Sequence, residues 1–345
     1  MKVIAALMIL STAIAATIES TCNGHAELCE RKYSNVTFIG AHDSAFIGNS
    51  PMTNQDWNVT SQLNHGTRLL QSQIHRKGSA LQLCHTSCII YDGGSVLDYL
   101  KEVKTWLDNN PREVLSMLFT NSESIDVETI SKPFKDSGLL DMAYMPSSSK
   151  LSLEQWPRLG ELIEQNQRVV IFMDYHADHS KVPAIIDEFD NIWEDQYNAV
   201  NASWTCEMDR GNDLSSMYIH NHFLDKKDSF LGTEYFTPDK DKLTTTNAAT
   251  GEGSLGQAMV NCIDAHSRAP NFVLVDYESY GNGSVYKVAA EANSVAYNDR
   301  GDIHPPTGAE MGENNSSAST SKSITSITSI TAGSFVFVIL ATLLT

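Results

Sequence analysis

The feature that most constrains this chain is a repeated alternation of short apolar, β-branched runs with segments whose apolar residues recur at helical spacing. Strand-like runs cover Val36–Gly40, Arg68–Ile74, Ala80–Cys84, Val114–Phe119, Arg168–Met173, Met217–Phe223 and Asn271–Asp276. Between them, Ser95 caps a segment in which Val96, Leu97, Leu100, Val103 and Leu107 share one helical face, and Asn109, Asn110 and Pro111 stop it. Further helices are predicted over Val127–Phe134, Leu153–Ile163, Val182–Phe189, Ser254–Ala265 and Ser284 to about Ala296. Val114–Phe119 and Arg168–Met173 are continuously apolar, as strands buried on both faces must be. Strands separated by helices imply parallel βαβ units, and this many in one stretch implies a single-domain α/β chain with a TIM-type (β/α)8 barrel, regular or distorted. A doubly wound open sheet is the runner-up, disfavoured because no Gly-x-Gly-x-x-Gly follows any strand.

The ends of the 345 residues read as processing signals. Residues 1–16 are expected to be a secretory signal peptide: Lys2, an apolar run from Val3, and Ala13-Ile14-Ala15 as the cleavage pattern. The barrel is assigned to 17–304. A Ser/Thr-rich stalk follows over 305–331, with a GPI attachment region near 314–317, and 332–345 is an apolar tail removed on anchoring. That tail is shorter than the roughly 20 residues a spanning helix needs.

Secretion fits six cysteines surviving signal cleavage, since an even number in an oxidising compartment implies disulfides. Spacing favours Cys22–Cys29, Cys84–Cys88 and Cys206–Cys262; zinc is the weaker alternative, as no second pair matches Cys-x3-Cys. Sequons stand at Asn35, Asn58, Asn201 and Asn282. A net charge of −18 with no basic stripe excludes nucleic acid as a partner and argues against tight peripheral binding to anionic membrane. The expected membrane association is through the GPI anchor.

In a parallel barrel, chemistry sits where strands end. Four runs carry polar residues there: Gly40-Ala-His42-Asp43-Ser44, Gln71-Ser-Gln73-Ile-His75, Leu83-Cys-His85-Thr and Val273-Leu-Val-Asp276. Two imidazoles delivered by separate strands can cleave a phosphodiester with an internal hydroxyl, one taking the hydroxyl proton and the other protonating the leaving oxygen. Each needs its tautomer fixed, and Asp43 and Asp276 are placed to do so.

Gly40-Ala-His-Asp-Ser resembles the Gly-x-His-Asp-Ser signature of the phosphatidylinositol-specific phospholipase C X-type barrel. His65-Gly-Thr-Arg-Leu-Leu, Leu83-Cys-His85, Asn110-Pro-x-Glu113 and Val275-Asp276-Tyr are similar, in order, to further stretches of that family. The similarity spans about Val36 to Ala290, and the Gln-x-Gln-x-His strand and Cys-His-Thr-x-Cys loop resemble secreted fungal PLC-like phosphodiesterases. The resemblance implies His42 as general base oriented by Asp276, His85 as general acid coupled to Asp43, and a cyclic phosphodiester product. It implies no nucleotide or redox cofactor, leaves a divalent cation open without family-type ligands for it, and implies a small-molecule or lipid/glycan phosphodiester as partner.

The chain departs from the bacterial pattern at Gln71 and Gln73, where those members carry Asp-φ-Arg, and at Thr120 and Asp174, where they use basic residues. Gln71, Gln73, His75, Thr120, Asp174 and Asn221 are the expected substrate-binding residues, with His75, Arg76 or a bound cation to neutralise the phosphate. Asp174-Tyr-His176-Ala-Asp178-His179 and Asn221-His222 are secondary clusters that could line the pocket or hold a metal, whereas Trp57, Trp106, Trp156 and Trp193 read as packing. A catalytically impaired surface protein that binds a phosphorylated or glycan ligand is the alternative function, and a metal-dependent phosphodiesterase is the third.

Overall fold

The computed structural model describes residues 21–230, 233–301 and 303–307. The expected signal peptide, most of the stalk and the apolar tail lie outside the described residues.

Among the described residues, twelve strands are formed: β1 (Phe38–Ala41), β2 (Leu69–Lys77), β3 (Ala80–His85), β4 (Tyr91–Ser95), β5 (Leu115–Thr120), β6 (Val169–Met173), β7 (Ile185–Asp187), β8 (Ile192–Glu194), β9 (Met217–Asn221), β10 (Asp225–Phe230), β11 (Thr233–Pro238) and β12 (Phe272–Val275). The helices are α1 (Val59–His65), α2 (Val96–Asn109), α3 (Val127–Ser137), α4 (Leu159–Glu164), α5 (Glu188–Asn191), α6 (Leu243–Thr246), α7 (Leu255–His266) and α8 (Ser284–Ala292).

Eight strands run parallel in the order β7-β6-β5-β2-β1-β12-β9-β8. The sheet curls into a distorted barrel, and among the described residues no ladder joins β7 to β8. Phe38, Leu69, Leu118, Phe172, Ile219, Phe272 and Leu274 fill its interior. Tyr33 and Trp156 stack at 5.1 Å beside Phe38 and Phe272, closing the end where the strands begin. Gly40 belongs to this interior: a Cβ there would lie 2.9 Å from side-chain atoms of both Leu69 and Leu274. A second apolar layer packs α2 and α3 on β2, β5 and β6, and a third packs α7 and α8 on β1 and β12. Ser95 caps α2 as its sequence predicts, accepting from the Asp98 N–H.

Several elements differ from expectation. Val182–Phe189 is not a helix: Ile185–Asp187 extends β6 as a three-residue parallel strand, and only one turn, α5, follows. Ala184, Ile185 and Ile186 are all buried, and so short an apolar run carries no period that separates strand from helix. Leu153–Ile163 breaks at Pro157 into a 3-10 turn and α4. Ala80–Cys84 is a strand, but antiparallel: β3 and β4 extend β2 into a side sheet beyond the barrel. The polar β10–β11 hairpin, Asp225–Pro238, was not legible as strand. The three disulfides are Cys22–Cys29, Cys84–Cys88 and Cys206–Cys262, the pairs favoured by spacing.

Candidate active site

At the ends of the parallel strands opens a cleft of about 1160 Å³, lined by His42, Asp43, Gln71, Gln73, His85, Thr120, Asp174 and Asn221 among others. His42 directly follows β1, its N–H still donating to Val275 O of β12 (3.0 Å). His85 ends β3, and the β2–β3 hairpin carries it back over the barrel mouth. Strands from different parts of the chain thus bring the two imidazoles together.

Their ring nitrogens are held differently. Asp276, just past β12, accepts from His42 Nδ1 at 2.9 Å, and the same oxygen accepts from Asn54 Nδ2 at 3.1 Å. His85 Nδ1 donates to the Met52 carbonyl at 3.1 Å. With Nδ1–H engaged in each ring, both Nε2 atoms are free for chemistry. Both lie 3.6 Å from Asp43 Oδ2. Phe223 stacks on the His42 ring at 3.9 Å, and Phe46 on His85 at 5.2 Å, which fixes the ring planes.

Burial works against the charged form of His42, but Asp276 and then Asp43 outweigh it and bring its pKa to about 9. Asp43 is fully buried and is held above the usual carboxylate range by that burial, opposed by both histidines. Asp225, at the base of the hairpin, is pushed to about 7 by burial and then by the Asp276 charge. It is a third acid around His42 that the sequence did not mark.

Gln71 and Gln73 line the cleft, but their recorded hydrogen bonds go to protein groups. The Asp43 N–H donates to Gln71 Oε1 (2.7 Å), Gln73 Nε2 donates to Asp43 Oδ2 (2.8 Å), and the Thr86 N–H donates to Gln73 Oε1 (2.9 Å). His75 is a correction. By that point β2 has left the barrel to pair with β3, and His75 bonds Glu123 at 2.8 Å outside the cleft lining. Arg76 is exposed on the same side sheet. Neither supplies positive charge to the cleft.

The one Lys or Arg side chain among the described cleft-lining residues is Arg210, unmarked by the sequence because it follows no apolar run. Its Nε and Nη2 donate to Glu194, and its guanidinium lies 4.5 Å over the Tyr197 ring. Asn221 Nδ2 donates to the same Glu194 oxygen at 3.2 Å. Asp174, pushed to about 6 by burial, accepts from the Asn121 N–H at 2.8 Å. Glu188 is held well above its ordinary value by burial and by Glu194. This wall offers donors and acceptors in alternation, with Thr120 beside it.

The secondary clusters lie elsewhere. His176, Asp178 and His179 line a separate surface pocket with Asp126 and Lys181. His222 turns inward to Thr246 O (2.8 Å) and to His220, which is paired with Asp195. Among the described residues, the donors close enough to share an ion are Asp195, Cys206, His220 and Cys262, and the two sulfurs are bonded to each other. The tryptophans pack: Trp57 on His65, Trp106 under Arg68, Trp156 on Tyr33 and Trp193 on Tyr218.

The family model described as PI-PLC X 1 matches residues 28–293. The chain belongs to the PI-PLC X family. An uncharacterized secreted protein of Arthroderma benhamiae is 41% identical over 287 residues, which is 80% of this chain and 65% of that protein. A PI-PLC X domain-containing protein of the same fungus is 40% identical over 267 residues, 76% of this chain and 86% of that protein. In fold, the chain is similar to a mutant phosphatidylinositol-specific phospholipase C of Staphylococcus aureus, with a TM-score of 0.52 and 14% identity over 77% of this chain and 94% of that one. This chain therefore spans less than two thirds of the first relative's length.

Proposed function

We propose that this protein is a phosphodiesterase that cleaves its substrate by two-histidine acid–base catalysis. The observation that carries this reading is the facing pair of Nε2 atoms, each 3.6 Å from one Asp43 oxygen, with Nδ1 of each ring tied off. His42 Nε2 takes the proton of a hydroxyl neighbouring the phosphate. That oxygen bonds to phosphorus, the bond from phosphorus to the leaving oxygen breaks, and His85 Nε2 protonates the leaving alcohol. A cyclic phosphodiester results, which water opens with the two roles reversed. No step needs a metal.

The donor–acceptor wall of Arg210, Glu194, Asp174 and Asn221 suits the hydroxyls of an inositol- or glycan-type polyol, and Tyr197 offers a ring face. Met52, Ile90, Tyr235 and Phe236 line the cleft with apolar surface suited to a lipid on the other side of the phosphate. Three disulfides, and a relative named as secreted, support an extracellular location; attachment through a GPI anchor is part of this proposal.

The test is release of cyclic phosphate, followed by ³¹P NMR, from phosphatidylinositol and from GPI glycans, comparing wild type with His42→Ala. A loss of about 10²–10⁴-fold is expected; turnover unaffected by the substitution refutes the mechanism. A second reading, a binding protein without turnover, is favoured by Arg210, the cleft's guanidinium, being already paired with Glu194. Saturable binding of either ligand with no product would select it.

A further inference from the structure

Two residues beside the histidines hold backbone angles that L-residues avoid: Asp43 at φ +47° and Thr86 at φ +61°. For a β-branched threonine this is a genuine outlier, and such strain persists only where neighbours over-determine it. Each position is pinned by a glutamine of β2. Gln71 Oε1 takes the Asp43 N–H, and Gln73 Oε1 takes the Thr86 N–H. The other end of the Gln73 amide donates to Asp43 Oδ2, the oxygen that both histidines face.

We propose that Gln73 is a positioning residue that spans the two catalytic loops, fixing Asp43 beside His42 and the Thr86 turn beside His85, rather than a ligand of the phosphate. The chemistry of the side chain supports this. The place requires an acceptor for Thr86 N–H and a donor for Asp43 at opposite ends of one planar group. A carboxylate offers only acceptors and a guanidinium only donors, whereas a primary amide offers both. Asparagine is one methylene too short to reach the same two partners from β2. Gln71 does the backbone half of the task, and both act through Asp43. The inference rests on the acid–base reading above.

The experiment compares Gln73→Leu and Gln73→Glu in the full-length secreted protein. It reads kcat and KM on a soluble inositol phosphodiester, and the His42 and His85 ring titrations by NMR without substrate. Asp276 and Asp225, the other charged groups around His42, stay in place in both variants. Leucine removes both the donor to Asp43 and the acceptor for the Thr86 N–H, so the two turns loosen, the His42 titration moves and kcat falls about 10²-fold with KM little changed. Glutamate keeps the acceptor but sets a second negative charge beside Asp43, so His42 titrates higher. A displaced His42 titration, with kcat lost and KM retained, is the expected signature. A rise in KM with kcat retained, or an unmoved titration in both variants, overturns the proposal in favour of direct phosphate contact. Should wild type turn over no phosphodiester, the acid–base reading fails while the ring titrations still decide the role of Gln73.

Discussion

Replacing Asp276 with asparagine tests the electrostatic core of the site. Asp276 lies 2.9 Å from His42 Nδ1 and, against burial, contributes most to lifting that imidazole to about 9 from its ordinary 6.5. At about 1.36 kcal/mol per tenfold change, the net stabilisation of the imidazolium is about 3 kcal/mol. At pH 7 only about one wild-type molecule in a hundred then carries His42 as a free base, and its ring should titrate at about 9 by NMR. In Asp276→Asn, Asp43 and Asp225 remain while the largest opposing charge is gone. The variant's His42 ring is expected to titrate well below that of wild type, with kcat reduced about 10²–10⁴-fold by the loss of tautomer control. An NMR titration of the ring and initial rates on a soluble inositol phosphodiester measure the two. Stability gives an independent check. Because the folded pKa is raised, the stabilisation is complete below about 6.5 and is lost as pH rises through about 9. The variant should therefore melt well below wild type at pH 6, with the gap narrowing by pH 10. An unmoved His42 titration together with a pH-independent gap would refute the reasoning.

Two further outcomes follow from the fold. The Cys84–Cys88 ring encloses His85 and Thr86, so a Cys84→Ser/Cys88→Ser variant should lose about 2 kcal/mol of stability and about tenfold or more in kcat, whereas Cys22→Ser/Cys29→Ser should leave kcat unchanged; equal kinetics in the two variants would show that the ring does not position His85. Glu113→Gln leaves Arg68 buried without its 2.8 Å counter-ion, at a cost of about 3–5 kcal/mol readable by urea denaturation, with turnover at permissive temperature retained because the pair lies where the strands begin.

The site was legible where chemistry follows a strong apolar run. His42, Asp43 and Asp276 stand directly behind β1 and β12, whose residues are buried along their whole length, and such runs betray themselves by composition. His85 was found by the same rule, although its strand proved antiparallel. The far wall was hidden. Glu188 and Glu194 flank strands of only three residues, too brief to show a period, and Arg210 comes from an irregular stretch placed by its backbone bridge to Glu194. His75 failed for a geometric reason: the alternation that puts Gln71 and Gln73 toward the cleft continues in sequence after β2 has left the barrel. The glutamines themselves were visible, but their partners, Asp43 and a backbone amide 13 residues away, were not.

The gap between β7 and β8 bears on how substrate preference changes within such a fold. On that side the cleft's width is set by side chains, since among the described residues no backbone ladder binds the two strands. Arg210 caps the free edge of β8 through main-chain bonds to Glu194, shielding it from pairing with another molecule. Exchanging Glu188, Glu194 or the Arg210 side chain therefore resizes or recharges this wall of the cleft while the backbone pairings of the parallel sheet stay as they are. The bonds that shape this wall are distinct from the ladder that builds the sheet.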